Sequence, residues 1–132
     1  MVALPKIIQR IESIPRVMQQ ISEAMAEEAL ALIDDGFFAE KDPYGQPWKN
    51  KKKPGRIGQV TGQMRRGWIK TFVGPNGFRL KNLQPYSGYF QDGTKNSPER
   101  NLVPTARKGL GPIWSKALRK VALECLRRAA GG

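Results

Sequence analysis

The chain has 132 residues, with 23 Lys and Arg against 11 Asp and Glu for a net charge of +12, a single Cys and no His. This composition excludes an internal disulfide, His-ligated zinc, and catalysis by an imidazole or a Ser-His-Asp triad. The length is that of one domain, 1–132, and no apolar run approaches the ~18 residues that a membrane span requires, so we expect no membrane partner.

The N-terminal helical segment, 1–35, has the clearest periodicity. Because Pro15 lacks an N–H and clashes with the preceding turn of a helix, we predict a short helix or turn over 5–12 and a long helix over 14–34, ended by Gly36. Apart from an interruption at Glu28, apolar residues recur at alternating spacings of four and three, which predicts one face of the core rather than a free-standing coiled coil. They are Ile7, Ile11, Ile14, Met18, Ile21, Met25 and Leu32.

Turn-forming and basic residues dominate the next segment, 36–66, which we interpret as a long basic loop. Asp42-Pro43-Tyr44-Gly45 is typical of a tight turn. A loop of this length inside a compact domain is usually functional. We therefore expect part of it, 49–60 above all, to become ordered against a partner.

The rest of the chain contains short strands over 67–93, a loop over 94–111 and a C-terminal helix over 112–130. Strands over 68–73 and 77–83 form a hairpin around Gly74-Pro75-Asn76-Gly77, and Tyr86 to Phe90 is predicted to be a third strand. The element order predicts an α+β fold, in which a long N-terminal helix and a C-terminal helix pack on a small antiparallel sheet with long Pro/Gly-rich loops. The apolar face of the C-terminal helix is predicted to hold Trp114, Ala117, Leu118, Val121 and Cys125.

Charge is distributed unevenly along the chain. Residues 1–40 carry three basic and seven acidic side chains, whereas 41–132 carry twenty basic and four acidic ones. This asymmetry points to an acidic partner for the basic part, either nucleic acid or an acidic protein surface, and a solvated basic surface without a dedicated ligand stays an open alternative. The candidate contacts to DNA or an acidic surface are Lys51, Lys52, Lys53, Arg56, Arg65 and Arg66.

No catalytic constellation is recognisable in the sequence. Ser and Lys do not occur at the Ser-x-x-Lys spacing, and the glycines at 55, 58 and 62 lack the Gly-Lys-Ser/Thr ending of a phosphate loop. Adjacent carboxylates such as Asp34 and Asp35 diverge on a helix, so they make poor acid–base or metal pairs. We expect no enzymatic activity, and no catalytic residue, metal site or cofactor.

Three segments of the chain form an ordered set of motifs. The first contains Asp42, Gly45 and Trp48 at the D-x-x-G-x-x-W spacing. The second is Thr61-Gly62-Gln63-Met64-Arg65-Arg66-Gly67. The third runs from Tyr86 through Gln91-Asp92-Gly93-Thr94 to a loop that ends at Pro104. In this order the segments resemble the virion morphogenesis, or tail completion, proteins of long-tailed bacteriophages. The likeness spans 36 to about 118, and it departs from the family pattern at Tyr89-Phe90-Gln91, where His is frequent, and at 100–103.

The resemblance implies a structural protein of the virion neck, present in the host cytoplasm during assembly, that completes the tail end or joins the tail to the head. It implies a homo-oligomeric ring adaptor, with a hexamer as the favoured stoichiometry. Its partners would be tail tube or tail terminator proteins and head connector proteins, with genomic DNA in the lumen. The alternative from the residues alone is a small basic nucleic-acid-binding protein.

In such a ring the long loops would contact neighbouring subunits. We predict that aromatic and polar residues of the resembling segments anchor these protein interfaces. Packing of the same side chains within one subunit is the open alternative. The predicted interface residues are Asp42, Tyr44, Trp48, Tyr86, Tyr89 and Gln91.

Overall fold

The computed structural model describes residues 4–48, 62–84, 87–95 and 98–131. Its two long helices and one two-stranded antiparallel sheet confirm the predicted α+β fold. In chain order the elements are α1 (Leu4–Ala39), α2 (Gly62–Arg66), β1 (Trp68–Gly74), β2 (Gly77–Asn82), α3 (Ser87–Asp92) and α4 (Gly111–Gly131).

Helix α1 is continuous for 36 residues, about 54 Å at 1.5 Å per residue. The predicted break before residue 14 is therefore wrong, because Pro15 lies inside the helix. An internal proline removes one backbone hydrogen bond, at a cost of about 3 kcal/mol. Glu12 to Arg16 are exposed, so no core packing is disturbed in the turn that contains Pro15, and the packed turns that follow hold the helix together.

Helix α1 ends at Ala39, three residues beyond the predicted stop at Gly36. Glu40 follows in the left-handed region with a φ of 55°, and the Lys41 N–H donates to the Gly36 carbonyl at 3.2 Å. This is the Schellman arrangement, in which the residue after the helix is most often glycine. A glutamate takes that position here.

The predicted hairpin is confirmed. Strand β1 pairs antiparallel with β2 from Trp68 opposite Asn82 to Gly74 opposite Gly77, and the register shifts between Lys70 and Phe72. The predicted third strand is wrong, because Ser87–Asp92 forms α3. The predicted strand covers only five residues, and a helical turn directs Gln91 toward the backbone of 102–103 while Tyr89 faces solvent.

Helix α1 is the central element and packs against both strands and against α4. The two long helices run antiparallel: Trp114 near the start of α4 shares a cleft with Gly36, whereas Cys125 shares a groove with Gln20. One hydrophobic cluster joins the helices to the loops. Its buried members are Ala29, Ile33, Phe37, Trp48, Met64, Leu102, Trp114 and Leu118.

The buried stripe of α1 differs from the predicted one. Ile14 and Met18 are exposed, and Met25 and Leu32 are only partly buried at the edge of the core. Small side chains occupy the first three positions of the most buried line, which allows neighbouring elements to approach the helix closely there. The buried line of α1 is Ser22, Ala26, Ala29, Ile33 and Phe37.

Candidate functional site

The segment after α1 folds into a compact turn that Asp42 organises. Its Oδ1 accepts the backbone N–H groups of Tyr44 and Gln46, each at 2.9 Å. The Trp48 N–H donates to the Glu40 carbonyl at 2.8 Å and closes the turn. An aspartate that binds backbone groups two and four residues ahead fixes the local chain direction. The turn therefore holds Tyr44 and Trp48 in fixed positions.

Tyr44 joins this turn to the loop that precedes α4. Its hydroxyl donates to the Gly109 carbonyl at 2.6 Å and accepts the Thr105 N–H at 3.1 Å. The Gly109 N–H itself donates to the Thr105 carbonyl at 2.8 Å. One phenol therefore bridges both ends of a small turn that lies more than 60 residues away in sequence.

Trp48 makes a second connection to the same loop. It is buried, its indole Nε1–H donates to the Asn101 carbonyl at 3.1 Å, and its ring meets that of Phe37 edge to face with centroids 5.6 Å apart. Aromatic pairs in this geometry add about 0.5–1.5 kcal/mol beyond area burial. Trp48 thus ties the end of α1 to the loop at 101.

Gln91 makes the third connection, from α3. Its Oε1 accepts the N–H groups of Leu102 and Val103, and its Nε2 donates to the Val103 carbonyl at 2.8 Å. The side chain thereby satisfies three backbone groups that have no strand partner. We call residues 40–48, Gln91 and 98–110 together the loop junction.

The structure places four predicted interface residues, Asp42, Tyr44, Trp48 and Gln91, in contacts within the subunit. This arrangement is the alternative that the sequence left open for them. Tyr89 has no such role, because 66% of the residue is exposed. Tyr86 lies outside the described residues.

Sequence reasoning did not identify the partners of these side chains. Asn101 is 3% exposed, and its Nδ2 donates to the Gln91 carbonyl and to Glu99. Lys108 Nζ donates to Asn101 Oδ1 at 3.0 Å and lies 5.6 Å from the centroid of the Tyr44 ring. No periodicity marks such residues, because each is placed by a tertiary hydrogen bond rather than by a face of a helix or strand.

The cations predicted to contact DNA or an acidic surface differ in their contacts and exposure. Arg65 contacts its own subunit, with Nη1 at 3.7 Å from Asp34 Oδ1 and its guanidinium 4.6 Å from the centroid of the Phe38 ring. Arg66 is exposed. The other four lie outside the described residues: Lys51, Lys52, Lys53 and Arg56.

The acidic side of α1 neutralises basic residues of the hairpin. Lys70 on β1 forms ion pairs with Glu23 and Glu27, which lie one turn apart. The hydrogen bonds that Lys70 donates to these two carboxylates raise its pKa above the ordinary value of 10.5. Together with the Arg65 pair, these contacts engage three of the acidic side chains of α1 within the chain.

The outer surface of α4 carries a separate row of cations. Leu123 lies nine residues after buried Trp114, two and a half helical turns, and so marks the opposite side of the helix. Four exposed cations surround Leu123, and none forms an ion pair with another described residue. We call Lys116, Arg119, Lys120 and Arg127 the basic face.

Comparison with family models, with curated protein sequences and with solved structures gives no match for this chain. In the part of the chain that the structure describes, no three His, Cys, Asp or Glu residues cluster in a way that could hold a metal ion. No helix in these ranges combines the length and the apolar character that a bilayer crossing requires.

Proposed function

We propose that this chain is a non-enzymatic structural protein of the neck of a long-tailed bacteriophage. It acts as a homo-oligomeric ring adaptor, for which we favour a hexamer, and it completes the tail end or joins the tail to the head. Its partners are the tail tube or tail terminator proteins and the head connector proteins, and genomic DNA passes through the lumen. It is made in the host cytoplasm and remains in the virion.

The observation that supports this proposal most directly is the meeting of the three resembling segments. Trp48 of the first segment and Met64 of the second lie in one buried cluster, together with Leu102 in the loop after the third. Gln91 of the third segment fixes the backbone at Leu102. Residues that are far apart in sequence but set the fold together are the ones that a family pattern retains, so the ordered motifs describe one structural unit.

Exposed apolar side chains supply surface for subunit contacts. Tyr89 belongs to the third segment and is two-thirds exposed, and Phe72 on β1 is 55% exposed. Exposed aromatic residues of this kind are enriched at protein interfaces, where they become buried anchors. We therefore assign the subunit interface to Tyr89 and Phe72, whereas Tyr44 and Trp48 stabilise the subunit itself.

The assembly test compares the full chain with a Tyr89→Ser/Phe72→Ser variant and a Leu126→Ser control, whose side chain is 46% exposed on α4. Sedimentation velocity and negative-stain electron microscopy measure ring formation with purified tail tubes present. We expect rings for the wild type and the control, and at least a tenfold loss of rings for the double variant without a change in melting temperature. A wild type that stays monomeric on tail tubes contradicts the proposal.

The biological test is removal of the gene from the phage that encodes this chain. Lysates should then contain filled heads and unattached tails, and expression of the wild-type chain from a plasmid should restore joined particles. Normal yields of infectious particles without this protein would exclude a neck function.

The alternative function is that of a small basic nucleic-acid-binding protein acting as a monomer or dimer. One observation favours it, the basic face of α4.

A further inference from the structure

We infer that the basic face of α4 binds the phosphate backbone of double-stranded nucleic acid. Arg119 and Lys120 follow Lys116 by three and four residues, and Arg127 follows Lys120 by seven, spacings that place side chains on one side of a helix. From the first to the last of them the helix rises about 17 Å. The inference does not rest on the neck proposal. The resemblance ends near residue 118, and most of the basic face lies after that point.

These cations remain available because no described residue of the chain forms an ion pair with them. Three acids of α1 are turned toward other elements, where Glu23 and Glu27 pair with Lys70 and Asp34 pairs with Arg65. Glu124 is the single acidic residue of α4, and it lies at the edge of the basic face. Four like charges along one helix repel one another, and an anionic ligand relieves that repulsion.

Arg128 shows the contrast within the same helix. It lies on the side of α4 that faces α1, in a groove shared with Glu23 and Glu27. The basic face points the other way, and all four of its members are exposed. The two sets of cations on α4 therefore have different surroundings, acidic for Arg128 and solvent for the basic face.

The described part of α1 in a second copy does not offer a matching row of acids. Its acids that form no ion pair with another described residue are Glu12, Glu28 and Asp35, and Glu12 lies sixteen residues before Glu28 whereas Asp35 lies seven after it. Such spacing gives one pair of charges and one distant charge, which do not match the four cations of the basic face. A duplex instead presents one negative charge about every 1.7 Å along its axis, so several cations of one helix can engage phosphates at once.

The composition of this surface also separates a nucleic acid from a lipid surface. A helix that lies in a membrane interface needs a broad apolar face opposite its cations. The side of α4 opposite the basic face packs in the core through Trp114 and Leu118. The exposed apolar residues of α4, Ile113, Leu123 and Leu126, are interspersed with the cations rather than gathered in a broad face opposite them. Contacts of this kind attach a protein to phosphates without reading base sequence.

The experiment measures binding of the full-length protein to a fluorescein-labelled duplex of about 20 base pairs with a scrambled sequence, at salt concentrations between about 50 and 200 mM. The test variant replaces all four residues of the basic face with Gln. A matched control makes the same change in net charge elsewhere on the exposed surface, at Arg16, Lys41, Lys81 and Lys95. Thermal melts establish that both variants remain folded.

We expect the association constant of the wild type to fall steeply with salt, because each neutralised phosphate contributes about 0.9 to the slope of log K against log salt. The basic-face variant should lose about 3.6 of that slope and at least tenfold in affinity at low salt, while the control keeps most of both. If the quadruple variant does not fold, Arg119→Gln alone should lower the slope by about 0.9.

Three results would overturn the inference. They are absence of duplex binding by the wild type, equal losses in the two quadruple variants, and displacement of the duplex by poly-glutamate at the same charge concentration. The third would identify an acidic protein as the occupant. Ring formation is measured on the same proteins. Absence of duplex binding by the wild type with intact rings contradicts this inference alone, and absence of rings with intact duplex binding contradicts the neck proposal alone.

Discussion

Gly111 lies directly against the ring of Tyr44, so closely that a Cβ at position 111 would be 2.7 Å from Tyr44 Cδ1 and 2.9 Å from Cε1. Its φ of +79° also falls in the left-handed region that side chains disfavour. Because Tyr44 is held by two hydrogen bonds to the turn at 105–109, its ring cannot move away freely. The absence of a side chain at Gly111 therefore allows the start of α4 to pack against Tyr44 of the loop junction.

Gly111→Ala should therefore destabilise the protein by about 2–3 kcal/mol, the sum of backbone strain and overpacking. Gly109→Ala is the matched control, since Gly109 has a similar φ of +77° but no atom within 4 Å of its Cβ position. Urea denaturation should give a loss of only about 1 kcal/mol for the control. Equal losses of unfolding free energy in the two variants would mean that the close contact with Tyr44 does not contribute to the effect of Gly111→Ala.

Removal of the Gln91 side chain amide tests the loop junction from α3. Gln91→Leu leaves the N–H groups of Leu102 and Val103 and the Val103 carbonyl without their partner, which should cost about 2–3 kcal/mol. Gln91→Glu keeps the acceptor but loses the donor, so we expect an intermediate loss. Hydrogen exchange of the 102 and 103 amides should accelerate in the Leu variant.

Tyr89→Ser is the control for this series, because Tyr89 lies two residues before Gln91 in the same short helix and is exposed. Substitution there should change the free energy of unfolding by less than about 0.5 kcal/mol. A Gln91→Leu variant as stable as this control would contradict the role assigned to the amide.

Elements with a strong local signal could be predicted from the sequence. The hairpin follows from Gly74-Pro75-Asn76-Gly77 between two alternating runs, and α4 follows from its apolar spacing and the glycines at its end. The continuous α1 could not be predicted, because tertiary packing of the turns that follow Pro15 overrides the local cost of the proline.

The buried line of α1 and the loop junction were harder to predict, for two physical reasons. Ala26 and Ala29 are fully buried, yet alanine gives a weak apolar signal compared with the exposed Ile14 and Met18. Asn101 and Thr105 act through hydrogen bonds to residues more than 50 positions away. Such pairings depend on which loops meet in the folded chain, and the spacing of residues within one loop does not predict those contacts.

Lys70 should make the stability of the protein sensitive to alkaline pH. The carboxylates of Glu23 and Glu27 raise the pKa of Lys70 above 10.5 in the folded state. The stabilisation is therefore complete below the unfolded-state pKa and is lost as the pH rises through the higher folded-state pKa. The window for this loss lies above about pH 10.4, the ordinary lysine value.

Lys70→Met should abolish this contribution, so that the variant loses less stability than the wild type between pH 9 and the alkaline end of the titration. It should also be less stable than the wild type at pH 7, because the two carboxylates one turn apart then repel each other without a cation. Chemical denaturation at each pH gives both quantities. Lys81→Met is the control, because Lys81 is exposed and forms no ion pair with a described residue. If Lys70→Met and Lys81→Met change the free energy of unfolding and its pH dependence equally, the role assigned to Lys70 is refuted.

The left-handed residue that ends α1 gives a last prediction. Glu40 has a φ of 55° and its carbonyl accepts the Trp48 N–H, so its conformation sets the path of the whole turn at 40–48. Glycine adopts this conformation without the steric cost of about 1–2 kcal/mol that a Cβ imposes. Both Glu40→Gly and Glu40→Ala remove the contacts of the side chain, so the difference between them isolates the backbone. We expect the Gly variant to be more stable than the Ala variant by about 1 kcal/mol in urea denaturation, close to 4 °C in melting temperature. An Ala variant of equal or greater stability would show that the turn tolerates a Cβ at this position without strain.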